Sequence, residues 1–288
     1  RFILTFAKSG QTMAFLSETA NEAAVGGALD SKLLTDPLYS QLATLNKDDL
    51  LKALDQLAGD FHASTKSAMA ESAQYIAEAV GDRLDSPARL ASSAPLAYAD
   101  DDTAAGLAGT AKSGGPSAWV QGYGHAVTMD DASGNAGDLD AQHWGVVGGL
   151  DYSNEGWTAG IGGAYNAASL SSDSRNANGD VSSVSALGYI GGDLGMLRLR
   201  AGGSYSFNSV STTRDVMLPT PQTLSADYDA RVAQAFGEIG AKVGVFTPFV
   251  GANYINVATD AFSETGGTAA LSSAADSQSV TYATAGVR

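Results

Sequence analysis

The sequence predicts a mainly β fold, a transmembrane antiparallel β-barrel preceded by α-helices, one of which suits the inside of the pore. Three observations predict it. First, residues 197–208 alternate with period two. Leu197, Leu199, Ala201, Gly203, Tyr205 and Phe207 fall on one side, and Arg198, Arg200, Gly202, Ser204, Ser206 and Asn208 on the other. A soluble sandwich strand alternates too, but arginines followed by small polar residues suit a wet interior while the apolar side suits lipid. Second, no run of about 18 apolar residues exists, so no transmembrane helix is present. A closed barrel is then the remaining way to cross a bilayer with every backbone polar group paired. Third, short turns alternate with longer polar connections from Trp119 onward, as in outer-membrane barrels.

Composition fits this reading and excludes others. Of 288 residues, 44% are hydrophobic and only 16% charged, against a usual charged share of about 25%. The absence of cysteine excludes disulfides and thiol chemistry. A formal charge of −15 argues against nucleic acid as a partner. The chain opens on Arg1 without a signal peptide and reads as a piece of something longer.

Taken in order, residues 1–16 read as short apolar strands around a Ser9-Gly10 turn, either the cut end of a larger β-structure or a strand padding the helices that follow. Residues 17–59 are helical. Thr19 to Glu22 has the form of a capping box. Asn46 precedes the stripe Leu50, Leu51, Leu54 and Leu57, Asp48 and Asp49 favour the first turn, and Gly59 marks the stop. Pro37 falls in the connection between the two helical pieces. Residues 60–85 form a longer helix with Met69, Ile76, Val80 and Leu84 on one stripe and mostly Ala and Ser elsewhere. Such a narrow, mildly polar helix suits a water-filled pore, although the pattern alone favours an ordinary surface helix. Residues 86–116 read as a flexible linker containing Pro87, Pro95 and Pro116. Its acidic run Asp100 to Asp102 lacks the spaced oxygen ligands of a calcium loop.

The β region, 117–288, is expected to hold about eight strands, near 117–129, 141–153, 157–169, 181–194, 196–211, 224–243, 246–260 and 278–288. Trp144, Val146, Gly148, Leu150 and Tyr152 share a lipid-type face opposite His143, Gly145, Gly149, Asp151 and Ser153, with Val147 among the latter. Trp157, Ala159, Ile161, Gly163 and Tyr165 likewise oppose Thr158, Gly160, Gly162 and Asn166. In 224–243, Leu224, Ala226, Tyr228, Ala230 and Val232 oppose Ser225, Asp227, Asp229 and Arg231. There the phase slips near Gly237, and a β-bulge is expected. The strands 181–194, 246–260 and 278–288 give no firm facing. The candidate pore-lining residues are Arg198, Arg200, Asp227, Asp229, Arg231 and Glu238, with the acids pairing the arginines across the pore.

Several segments together resemble the C-terminal translocator region of bacterial autotransporters, the type V secretion family of Gram-negative bacteria. ETANEAAVGGALDS (18–31) and LKALDQLAGDFHAS (51–64) resemble its passenger junction. WVQGYGHAVTMDDASGNAG (119–137) resembles the first strand and loop, and WGVVGGLDYS (144–153) with WTAGIGGAYN (157–166) the next hairpin. RVAQAFGEIGAKV (231–243), TPFVGANY (247–254) and FSETGGTAALS (262–272) resemble later strands. The resemblance implies a twelve-stranded barrel in the outer membrane with helix 60–85 in its pore. Residues 1–59 would be the end of the passenger, at the cell surface. It also implies as partners the outer-membrane lipid bilayer, the barrel-assembly machinery, periplasmic chaperones and the chain's own N-terminal passenger. Only about eight strands are legible before Arg288, and the family's closing strands and terminal aromatic residue are missing. About four strands are therefore expected to be absent, leaving an open arc with unpaired edges.

No catalytic residue, cofactor or metal is expected within this stretch. His62, His125 and His143 lack metal-ligand spacing, no GxSxG motif occurs, and the GxGG of Gly160–Gly163 lies inside a strand. Family members that cut their passenger within the barrel use an asparagine pair in the helix, and 60–85 has none. The alternatives are a plugged channel or adhesin barrel, and a longer protein whose upstream passenger is a hydrolase.

Overall fold

The computed structural model describes residues 11–85, 115–131, 133–217 and 220–288. The apolar start (1–10) and most of the proline-containing linker (86–114) lie outside the described residues.

Five helices come first: α1 (Met13–Leu16), α2 (Ala20–Asp30), α3 (Pro37–Leu42), α4 (Lys47–Leu57) and α5 (Asp60–Asp85). Each cap follows from a short polar side chain. Thr19 and Glu22 form the full capping box of α2, and Asn46 accepts the Asp49 N–H at the start of α4. Two expectations are corrected. Residues 13–16 are a helical turn, because the Thr12 hydroxyl accepts the Phe15 N–H. Pro37 does not lie in a connection but opens α3, where its missing N–H costs nothing and Asp36 caps the turn. Gly59, at φ +68°, makes the corner into α5. With 26 residues, α5 is about 39 Å long.

Eight strands form one antiparallel sheet: β1 (Gly115–Met129), β2 (Leu139–Asn154), β3 (Trp157–Ser172), β4 (Ala177–Leu194), β5 (Leu197–Val216), β6 (Gln222–Ala241), β7 (Pro248–Thr259) and β10 (Asp276–Val287). Their order is β1-β2-β3-β4-β5-β6-β7-β10, and among the described residues no ladder joins β1 to β10. A small hairpin, β8 (Phe262–Ser263) with β9 (Ser272–Ser273), interrupts the β7–β10 connection. Tight turns at Glu155, Gly195 and Gly244 define one end of the sheet. The opposite, mouth end carries residues 133–138 and 260–275. β3, β4 and β5 run on to 172, from 177 and to 216, past the limits of 169, 181 and 211 expected from the sequence.

The long strands change character halfway. In β5, odd residues face outward throughout. Leu197 to Phe207 are mostly apolar, and Ser209, Ser211, Thr213 and Asp215 are polar. The inner face is polar from Arg198 to Asn208 and mixed above, where Val210 and Val216 are buried together with Thr212 and Arg214. The outer faces of β3 and β4 switch similarly, at Ser169 and below Val184. Ten residue steps from Leu197 to Phe207, at about 3.3 Å each and tilted about 40°, span roughly 25 Å, the height of a barrel's apolar band. Ring pairs Trp144–Tyr165 (5.6 Å) and Tyr205–Phe207 (5.2 Å) mark its upper edge. Beyond it the strands stand in water. The expected bulge at Gly237 is absent: the β5–β6 register is continuous from Leu197↔Ala241 to Val216↔Gln222. What reads as a slip of phase is an exchange of polarity between faces at constant parity.

The sheet curves around α5. Phe61, Met69, Ala73, Ile76, Val80 and Leu84 are buried against inner residues of β2 to β7. Glycines on β4 leave room at both ends of the helix. A Cβ at Gly179 would stand 3.1 Å from Phe61, and one at Gly191 3.0 Å from Leu84. Helices α1 to α4 form a second cluster on the mouth, with Leu42, Leu54 and Leu57 against Val216 and Leu224. Gly191→Ala is expected to cost about 1–3 kcal/mol by overpacking, measured as a lowered midpoint of heat-induced loss of the folded electrophoretic form. Leu84→Ala should recover part of that loss in the double variant.

Candidate functional site

The site is the lumen as α5 fills it, and charge fixes the helix at both ends. At the turn end, Arg83 donates from Nε and Nη2 to both Asp151 carboxylate oxygens, at 2.7 and 2.9 Å. Asp151 also accepts from Ser117 and from the Tyr189 hydroxyl (3.0 Å), whose oxygen takes the Trp119 indole N–H. Arg83, Asp151, Tyr189 and Trp119 are buried and Ser117 is half-buried. A buried carboxylate with this many donors keeps its charge because each lone pair has a partner.

Beside it, guanidinium groups gather on the C-terminal end of α5, where free carbonyls and the helix dipole favour cations. Arg200 reaches Gly81 O (3.0 Å) and Asp85 (2.8 Å), and also pairs with Glu238. Arg198 reaches Leu84 O at 3.3 Å. Arg288 bridges Glu238 and Asp85. Halfway along, Ser72 meets His143 at 3.2 Å, and His143 lies 3.5 Å from Glu71. The inner wall between is a satisfied polar ladder, with Ser185–Ser206 at 2.7 Å and Ser204–Gln234 at 2.9 Å.

At the mouth, Asp60 accepts from Arg175 and from the Gly137 N–H. Glu264 takes two bonds from Arg214, both 2.7 Å, one from His62 at 2.9 Å and the Leu271 N–H at 2.8 Å. Burial opposes a charged Glu264. The hydrogen bonds of Arg214, His62 and Leu271, with the charge of Arg214, outweigh it and hold the carboxyl down at about 2. The β1–β2 loop is ordered by its own carboxylate. Asp131 accepts from Ser133 and the Ala136 N–H, which hold it at about 2. That loop binds α2 through Asn135 and Asn21 at 2.7 and 2.8 Å.

Met69, Ile76, Val80 and Leu84 all lie on the sheet-facing side of α5 and are buried. Arg198, Arg200 and Glu238 face the lumen around Asp85. Asp227, Asp229 and Arg231 do not line the pore, which corrects the sequence expectation. They sit on the outer face of β6 above the apolar band, exposed, with Arg231 paired to Asp260 at 2.8 and 3.2 Å. Their strand-mates Leu224, Ala226, Tyr228, Ala230 and Val232 are the inward residues there. Sequence reasoning also missed Arg83, His62, Arg214 and Glu264 as contacts. For Arg83 a signal existed: it sits three residues after Val80, on the apolar stripe where a charge needs a partner. On the opposite side of α5, exposed Glu78 and Asp82 front a cavity of about 370 Å³ bounded by Arg200, Glu238 and Arg288. Among the described residues no group of three or more acidic or histidine side chains is arranged to hold a metal.

An antiparallel sheet with an apolar outer band and a charged helix clamped along its inner wall defines an outer-membrane β-barrel that carries its own helix. Residues 118–288 match the family described as Autotransporter beta-domain. The chain belongs to this family, and the region is the outer-membrane translocator unit of an autotransporter. Two curated relatives, both named Extracellular serine protease and both from Serratia marcescens, are 29% identical over 264 and 261 residues. Each alignment covers 88% of this chain, and the chain spans 23% of the length of each relative. Among solved structures, the translocator domain of the autotransporter NalP from Neisseria meningitidis has the same fold. Its TM-score is 0.51 at 19% identity, covering 77% of this chain and 71% of that one.

Two outcomes test the clamps. Asp151→Asn alone leaves Arg83 buried without its counter-charge and should cost about 3–5 kcal/mol. Adding Arg83→Met should restore much of the loss, read from denaturant midpoints of the detergent-solubilised barrel. At the mouth, Glu264 has a folded pKa below its ordinary value of about 4.3, so its stabilisation is full above that pH and fades as pH falls toward 2. An environment-sensitive dye on Ser272→Cys should therefore report a closed 260–275 segment at pH 6 and its release between about pH 4.3 and 2. That step should be missing in Glu264→Gln.

Proposed function

We propose that this region secretes and displays an N-terminal passenger. It inserts through the barrel-assembly machinery after delivery by periplasmic chaperones. The polypeptide upstream then crosses the lumen, drawn by its own folding outside rather than by a nucleotide. The direction of α5 carries this reading. Asp60 lies at the long-loop mouth beside Gly137 and Arg175, and Arg83 at the tight-turn end beside Ser117 and Asp151. With long loops outside and short turns in the periplasm, everything upstream of α5 falls on the cell-surface side. In this reading residues 1–59 end the passenger and its junction, 60–85 thread the pore, 86–116 return the chain and 117–288 build the wall. The serine protease relatives support a hydrolytic passenger upstream, while this stretch itself performs no catalysis.

The test is labelling of single cysteines at Ser31, Ala73 and Ser133 in the full-length gene on intact cells, with a membrane-impermeant maleimide. Strong label at Ser31 and Ser133 with weak label at buried Ala73 is the expected result. Label at Ser133 alone would place the helices in the periplasm and make this a plugged channel instead.

A further inference from the structure

The outer face of the wall just above the apolar band is not flat. Paired strands place side chains there in rows, one row for every second residue. Tyr165, Val184, Phe207 and Arg231 share the last row of the band. The next row is Ala167, Ser182, Ser209 and Asp229, and the one above it Ser169, Asp180, Ser211 and Asp227. All are exposed except half-buried Ala167. Between the rings and the carboxylates, the small side chains leave a trough across β3 to β6. It holds two cavities of about 280 and 230 Å³, both lined by Ser182 and Ser209. Phe207 and Arg231 bound the lower one, and Asp180 and Asp227 the upper.

We infer that this trough seats the sugar headgroup of a glycolipid in the surrounding leaflet, whose acyl chains lie on the band below. This rests on the outward-facing mouth of the reading above, which makes that leaflet the outer one. Two residue steps of about 3.3 Å, tilted about 40°, put Ser209 roughly 5 Å above Phe207. A headgroup layer is about 5–8 Å deep on each side of the hydrocarbon, so the trough stands among headgroups and not in bulk water. It continues the lipid-facing band without a break, since Val184 and Phe207 belong to both. The charge on this face selects the kind of headgroup. A phosphate headgroup needs cations. The trough carries Asp180, Asp227 and Asp229 against Arg231, whose guanidinium is already matched by Asp260 at 2.8 and 3.2 Å. A bare anion is repelled there and an uncharged polyol is not. Carboxylates and serine hydroxyls are the acceptors and donors that sugar hydroxyls pair with, and the Ser169 hydroxyl fixes Asp180 by a bond of 2.8 Å. Tyr165 and Phe207 stand at the foot of the trough, each braced by a second ring, Trp144 at 5.6 Å and Tyr205 at 5.2 Å. Their electron-rich faces accept the C–H side of a sugar ring while its hydroxyls turn to the carboxylates above.

The probe is dodecyl maltoside, an uncharged disaccharide on a single chain, and the host is a polyoxyethylene detergent with the same dodecyl chain. Full-length protein folded in the host detergent and titrated with the maltoside should retain maltoside on the barrel in native mass spectrometry. Ser209→Trp, which fills the floor of the trough, should abolish retention. Asp180→Ala should raise the half-saturating maltoside about tenfold, as loss of a hydrogen bond to a charged group implies. Ala159→Trp, exposed on the band of β3 and clear of the trough, should retain maltoside as the parent does. All are compared in the folded electrophoretic form, so misfolding is read apart from binding. No retention by the parent, or equal retention by Ser209→Trp, would overturn the trough. Equal retention of dodecyl phosphocholine would show that the chain and not the sugar is held, and would overturn it too. The secretion reading fails separately. Label at Ser133 without label at Ser31 sinks that reading alone, because the mouth still faces outward. An unlabelled Ser133 turns the mouth to the periplasm and overturns the outer-leaflet assignment.

Discussion

A strand that crosses a bilayer and continues into water must exchange its two faces, and the rest of this structure depends on that exchange. Within the band, lipid demands apolar side chains outside, and the inner face is free to be polar. Above it, water demands polar side chains outside, and the inner face must find apolar cover. Only one element is placed to provide both. Toward its C-terminal end α5 offers charges and carbonyls to Arg198, Arg200 and Asp151. Toward its N-terminal end it offers Phe61, Ala68 and Met69 to the inner residues of β4, β5 and β6. The helix is therefore as divided along its length as the wall around it.

This division explains which parts were legible in the sequence. In the band the rule of apolar outside and polar inside gives the correct facing for Leu197 to Asn208, Trp144 to Tyr152 and Trp157 to Asn166. The same rule carried upward inverts β6. It places Asp227, Asp229 and Arg231 in the pore and demands a bulge to reconcile them with Glu238, when the strand is regular throughout. Nothing in the local pattern marks the height at which solvent changes from lipid to water. Arg214 and Glu264 were hidden for a related reason, since both lie in stretches whose polarity reads as loop. Of the helix residues, the apolar stripe was plain, but the buried roles of His62 and Arg83 need a partner more than 60 residues away to become visible.

The clamps do more for position than for strength. A buried ion pair gains little over a well-packed apolar pair, because dehydrating both charges offsets their attraction. Apolar contacts, in turn, are poor at fixing height. The buried face of α5 mixes Phe61, Met69, Ile76, Val80 and Leu84 with Ala and Ser, and apolar contacts of this kind are not directional. Charges that lose their partners within a single turn do not slide. His62 and Arg83 are 21 residues apart, about 31 Å along the helix axis, close to the hydrocarbon thickness of a bilayer. The turn-end site is level with the apolar band and the mouth site stands above it in water, and the apolar middle of α5 fills the space between them.

The two ends differ in what they are built from. Asp151, Ser117 and Tyr189 belong to paired strands, so the turn-end site is in place whenever the sheet is, ready for Arg83. The mouth site is not. Glu264 sits on a segment held by the short β8–β9 hairpin and by Gln222, Ser225 and Asp229 of β6, and its geometry depends on Gln56 and His62 from the helices. One helix thus carries at its two ends a site built on paired strands and a site built across several separate segments. The turn-end site needs only the sheet and α5, whereas the mouth site also needs α4 and the 260–275 segment.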